Sequence, residues 1–136
     1  MKSLLAISLL LILQAGCASS LNAITDSGEQ LQLRNMQTRE YATLDKQDVL
    51  RSILATLQDL GFVIDEADSR TAMVSATKFD SQEIRMTVTV RERSGGRLAV
   101  RANASVDQTL VDEPGAYQDF FNVLDHAVFL TLHKVD

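Results

Sequence analysis

The only cysteine of the chain, Cys17, follows two small residues, Ala15 and Gly16. A thiolate is a strong nucleophile, and small residues before it let an extended backbone enter a peptidase cleft. This spacing therefore suits covalent attachment at a newly cut N-terminus. His126 and His133 are the only histidines, and with Asp119 they recur at seven-residue steps. On a helix such residues lie within about 20° of one another but about 10 Å apart along the axis, too far to share one metal ion. Asn122 and His126 stand closer, yet one imidazole with an amide is a poor ligand set, so a solvated polar helix face accounts for the line. Ser94-Gly95-Gly96 has the small residues of a phosphate loop without the Lys and following helix N-terminus that such a cradle uses. It reads as a hairpin turn. No Gly-x-Ser-x-Gly, paired cysteine or His-Glu-x-x-His occurs, and an enzyme would need His126 or His133 brought beside a nucleophile from far away in sequence. The expectation is a non-enzymatic protein without cofactor or metal.

The residues before Cys17 explain its position. Met1-Lys2-Ser3 is a short positive start, and Leu4 to Leu13 is apolar apart from Ser8. A run of that length makes about 15 Å of helix, half of the roughly 30 Å of hydrocarbon that a spanning helix crosses. It reads as the core of a signal peptide over residues 1–16. The segment Leu13-Gln14-Ala15-Gly16-Cys17 resembles the bacterial lipobox. One position departs from the pattern: the residue three before the cysteine is usually Leu and is Gln14 here, with Leu13 one step further out.

The resemblance implies diacylglycerol transfer to Cys17 and a membrane anchor made of acyl chains. Cleavage by the general signal peptidase near Ala15 to Ala18 is the alternative and would leave a soluble periplasmic protein. Acylation also disposes of a lone thiol that would otherwise risk mispairing. Ala18 and Ser19 replace the Asp that marks inner-membrane retention in lipoproteins, which implies the periplasmic face of the outer membrane. Each buried CH₂ contributes about 0.8 kcal/mol and a single chain holds only marginally, so several chains make attachment durable.

Behind the cysteine, residues 17–30 are small and polar without a sustained period and read as a tether. Residues 31–136 then suffice for one domain. Of all 136 residues, 46% are hydrophobic and 23% charged, the balance of an ordinary globular protein. The net charge of −5 argues against nucleic acid as a partner, because that binding needs a basic footprint to displace counterions.

Within the domain, partial alternation predicts a strand over Met36 to Ala42. Asp45 is a suitable N-cap for a helix, with Asp48 favourable in its first turn. Val49, Leu50, Ile53, Leu54, Leu57 and Leu60 give that helix one wide apolar stripe, and Gly61 ends it. Phe62-Val63-Ile64 reads as a short strand, Asp65 to Ser69 as a turn, and Thr71 to Lys78 as another strand. Ile84, Met86, Val88 and Val90 alternate with Arg85, Thr87, Thr89 and Arg91. After the Ser94-Gly95-Gly96 turn, Leu98 to Val106 alternates likewise with Arg101, Asn103 and Ser105. Period two with β-branched residues predicts a hairpin with one dry and one wet face. Pro114, with Asp112 or Glu113 before it, opens a last helix whose stripe is Tyr117, Phe120, Phe121, Leu124, Val128 and Leu132.

The order β-α-β-β-β-β-α predicts an α+β two-layer sandwich, an antiparallel sheet of four to five strands with two helices on one face. That order resembles the helix-grip domains of the outer-membrane barrel-assembly lipoprotein C and, loosely, the lipoprotein partner of the lipopolysaccharide translocon. Gln37-Thr38-Arg39-Glu40-Tyr41, then Asp45, then Leu57-Gln58-Asp59-Leu60-Gly61-Phe62 resemble a family of small uncharacterised Gram-negative outer-membrane lipoproteins, over about residues 36–78. These resemblances imply a fold and a location and assign no catalytic residue.

Arg85, Arg91 and Arg101 project from the wet face among Thr87, Thr89 and Asn103. Alternation alone would place polar residues there. Arginine forks nonetheless suit carboxylates and phosphates, and this patch is the best candidate docking surface. Arg39 with Tyr41 is the other candidate; packing and salt bridging of the first strand would explain them equally well. The leading expectation is an accessory or adaptor subunit of an envelope assembly, transport or efflux complex. A binder of lipid or another amphiphile in a groove between helices and sheet is the alternative.

Overall fold

The computed structural model describes residues 19–42 and 44–134. The expected signal peptide, Cys17 and its lipobox fall outside those residues. The described residues fall into two units, one ending at Gln32 and the other beginning at Leu33. A helix, α1, occupies Ser19–Met36, so the stretch expected to be a tether is helical from Ser19. Its Leu, Gln and Glu residues are good helix formers, but they follow no apolar period that would have announced the helix. Among the described residues, no helix is long and apolar enough to cross a membrane.

The second unit holds a mixed-length antiparallel sheet. Its strands are β1 (Thr38–Tyr41), β2 (Val63–Asp68), β3 (Met73–Phe79), β4 (Glu83–Arg93), β5 (Arg97–Val106) and β6 (Thr109–Leu110). They lie in the order β1-β5-β4-β3-β2, with β6 also on β5. Helices α2 (Lys46–Asp59) and α3 (Pro114–His133) complete an α+β fold. The element order differs from the expected one by α1 and β6.

β1 and β2 form opposite edges although α2 is all that separates them in sequence. The 14 residues of α2 make about 21 Å of helix, and four inter-strand spacings measure about 19 Å. One helix of this length therefore carries the chain from edge to edge. Asp45 caps it through Gln47 N at 3.3 Å. Its C-terminus closes with Phe62 N to Leu57 O and Gly61 N to Gln58 O, both 2.9 Å. Gly61 sits at φ +85°, as this double-bonded ending requires. Lys78 Nζ takes one leftover carbonyl, Leu60 O, at 3.0 Å. The Leu57-Gln58-Asp59-Leu60-Gly61-Phe62 motif is thus a helix-ending device.

The core lies on one side of the sheet. Val49, Ile53 and Leu57 of α2 and Tyr117, Phe120, Phe121 and Leu124 of α3 meet Val74, Ala76, Met86, Val88, Val100 and Ala102, all buried. Each large side chain buried in this way contributes about 1.5–3 kcal/mol. Leu132, expected in the same stripe, is 47% exposed because the last turn of α3 runs past the covered area.

One hydroxyl closes a gap in this architecture. β5 pairs with β1 through Arg101 and with β6 from Ser105 onward. Between them, Tyr117 Oη accepts from Ala104 N at 3.2 Å and from Gln37 Nε2 at 3.1 Å, and donates to Val111 O at 2.6 Å. A hydroxyl has one proton and two lone pairs, and all are used.

The edges are blunt. β1 is four residues long. β2 extends through the residues expected to form a turn, because a register shift between Ile64 and Glu66 accommodates its acidic side chains. Bulges and charges are how edge strands avoid unwanted pairing.

Candidate functional site

The sheet face away from α2 and α3 is open, and strand register assigns its residues. Arg85 stands opposite Ser105, Thr87 opposite Asn103, Thr89 opposite Arg101, and Arg91 opposite Ala99. The six wet-face residues expected to share one surface, Arg85, Thr87, Thr89, Arg91, Arg101 and Asn103, do so. The hairpin continues further than its sequence suggested, so Arg93 and Arg97 join the patch as a directly opposed pair. The signal for them was present, since both continue the odd-numbered alternation. The adjoining Ser94-Gly95-Gly96 turn drew the boundary too early.

Only part of this charge is neutralised. Arg97 Nη1 meets Glu40 Oε2 at 2.9 Å, Arg85 Nη2 meets Glu83 Oε1 at 3.2 Å, and Arg101 Nη2 reaches Gln37 Oε1 at 3.3 Å. Among the described residues, no ion pair is made by Arg91 or Arg93, and both are exposed. Facing arginines without an acid between them repel one another.

At the other end of the same face the character changes. Phe79 lies opposite Glu83, Val63 opposite Thr77, and Leu110 opposite Ser105. These three are 76%, 69% and 55% exposed. On β2, Asp65 and Glu66 are exposed, and Asp65 Oδ2 accepts from Thr77 Oγ1 at 2.7 Å. The face is therefore cationic at the hairpin end, apolar at the opposite end and acidic along one edge.

Arg39 and Tyr41 do not belong to it. Their partners Val100 and Leu98 put them on the helix side, where both bind Asp125 of α3. Arg39 Nη1 pairs with Asp125 Oδ2, and the Tyr41 hydroxyl donates to Asp125 Oδ1 at 2.7 Å. The Arg39 guanidinium also lies 4.9 Å from the Phe121 ring centroid, within cation–π range. Burial first, then the hydrogen bond to Asp125, holds the Tyr41 phenol well above its ordinary pKa. With Gln37 bound to Tyr117, the side chains of Gln37, Arg39 and Tyr41 all fasten β1 and the residue before it to α3.

The polar line on α3 stays dispersed. His133 Nδ1 lies 2.8 Å from Phe129 O, and its ring stacks at 4.1 Å on Phe129. His126 is exposed and lines a groove of about 330 Å³ with Ser52, Asp59 and Thr131. Asp119 lines a different groove, also about 330 Å³, with Leu60, Phe62, Lys78, Ile84 and Val111. Among the described residues no group of three His, Cys, Asp or Glu could hold a metal ion. Ser94–Gly96 is a turn, with Gly95 and Gly96 at φ +79° and +70°. No protein-family model matches the chain, and no curated protein matches it.

Proposed function

We propose that this chain is a non-enzymatic, lipid-anchored accessory protein of the bacterial outer membrane that offers the open face of its sheet to an envelope complex. The observation carrying this reading is the unequal treatment of the two sheet faces. One is sealed by α2 and α3 over a continuous core; the other holds Arg91, Arg93, Arg97 and Phe79 in solvent. Exposed arginine and aromatic side chains are the types enriched at protein interfaces. Anchoring through Cys17 would keep such a surface at the membrane where its partner resides.

Two measurements test the reading. Intact mass of membrane-extracted protein should show loss of residues 1–16 and the mass of acyl chains on Cys17; a retained Met1 with a free thiol overturns it. Cross-linking in envelope membranes should give a discrete protein adduct, and its absence counts against an adaptor role.

A second reading, a binder of lipid or another amphiphile, is supported by the groove at the Leu60 end. Phe62, Ile84, Met86, Val106, Val111 and Phe120 supply its apolar wall and Lys78 a cation. A smaller groove of about 220 Å³ between α2 and the β2–β3 hairpin, lined by Leu50, Leu54, Ala67 and Met73, offers less room for an acyl chain. This second reading predicts a co-purifying amphiphile, detected by native mass spectrometry and lost on Phe62→Asp.

A further inference from the structure

Resting on the docking role proposed above, we infer that the partner is a protein whose contacting surface is acidic where it meets Arg91, Arg93 and Arg97 and apolar where it meets Phe79. Four observations point this way. Of the opposed Arg93 and Arg97, Arg97 pairs with Glu40, and Arg93 makes no ion pair among the described residues. Directly facing like charges oppose sheet formation, so a local conflict has been left standing where an outside anion would resolve it. Local rules broken without internal compensation are where functional surfaces are expected.

Phe79 is the second observation. It is 76% exposed although its outward position would accommodate any polar residue. Aromatic residues and arginine are the side chains that dominate binding energy at protein interfaces. Arg93 ends β4 and Phe79, on β3, stands opposite Glu83 at its start, about 30 Å away at 3.3 Å per residue, so a partner touching both is held in one orientation.

The third observation is extent. Four strand spacings by this length give about 600 Å² of flat face, close to the roughly 800 Å² that each partner contributes to a stable interface.

Charge placement is the fourth, and it selects among occupants. Asp65 and Glu66 are exposed on the same face, and the chain carries −5 overall. An anionic bilayer laid on this face would meet those carboxylates together with the arginines. A second copy related by a two-fold axis along the central strand β4 would set Arg91 and Arg93 over their own equivalents; a two-fold across the strands would not, and a dimer in solution lost in Arg91→Glu/Arg93→Glu would overturn the inference. A protein surface with its own arrangement of charges has neither difficulty, and complementary potentials are what such interfaces use to select a partner.

The test uses the full-length lipidated protein in envelope membranes, with a photo-crosslinking residue in place of Thr87 or, separately, Asn103. Both sites sit in the middle of the face. The expected result is one protein adduct from either position, whose cross-linked peptide is rich in Asp and Glu. Its yield should fall at least about tenfold with Arg91→Glu/Arg93→Glu and with Phe79→Asp. Arg70→Glu, a charge change on the β2–β3 turn, should leave it unchanged, and thermal melts establish that each variant is folded. An adduct indifferent to Arg91→Glu/Arg93→Glu overturns the acidic partner while leaving open-face docking intact. No adduct from either position overturns docking itself. Binding to phosphatidylglycerol vesicles that is lost in the same double variant, with no protein adduct, reassigns the arginines to lipid and also overturns the inference.

Discussion

The side-chain amide of Gln37 donates to the hydroxyl of Tyr117 at 3.1 Å, across 80 positions of sequence. The same hydroxyl donates to Val111 O and accepts from Ala104 N, so the start of β1, the middle of β5 and the approach to α3 share one atom. Tyr117→Phe keeps the ring and removes that atom. Two donors and one carbonyl then lose their partner in a buried setting, which costs about 2–3 kcal/mol. Urea unfolding should register this as a lower midpoint with an unchanged slope.

Thr56 predicts the opposite sign. Its side chain is fully buried, and its Oγ1 has no hydrogen-bond partner. Thr56→Val has nearly the same shape and removes the unsatisfied hydroxyl, so it should stabilise the protein by about 1 kcal/mol. An unchanged or lowered thermal midpoint would contradict the structure at this position.

Tyr41 gives a pH dependence. Burial and the Asp125 carboxylate raise the folded-state pKa of the phenol, while the unfolded chain ionises at about 10. Below that pH both states keep the proton and the contribution to stability is complete. Above it the unfolded chain releases a proton that the folded one retains, and stability falls by up to about 1.4 kcal/mol per pH unit. Denaturation between pH 9 and 11 should show this slope and lose it in Tyr41→Phe.

The opposed arginines of the hairpin should carry an internal cost. Arg93→Thr removes a like-charged cross-strand neighbour of Arg97 and should raise stability by about 0.2–1 kcal/mol. Added salt should shrink the gain because exposed charges are screened. A gain unaffected by salt would mean that β-propensity, not charge, is responsible.

Much of this fold is legible in the sequence because its long elements bury one face. The stripes Val49-Ile53-Leu57 and Phe120-Leu124-Val128 can only be helices against a core, and the alternation from Ile84 to Val106 fixes which arginines face outward. The remainder depends on partners distant in the chain. Asp65 and Glu66 look like turn residues because nothing local shows that a bulged edge strand will hold them. β6 is two residues long and has no period. The side on which Arg39 and Tyr41 emerge follows from pairing with Val100 and Leu98, which no local pattern around Arg39 encodes. Residues 19–36 form a helix although Ser19, Ser20, Asn22, Thr25, Asp26, Ser27 and Gly28 are poor helix formers, so neither period nor propensity signalled its first half.

The two sheet edges have a consequence for behaviour in a crowd. A four-residue strand on one side and a kinked, carboxylate-bearing strand on the other give a neighbouring molecule no straight ladder to extend. Copies crowded together at high local density therefore meet no edge along which to zip into fibrils.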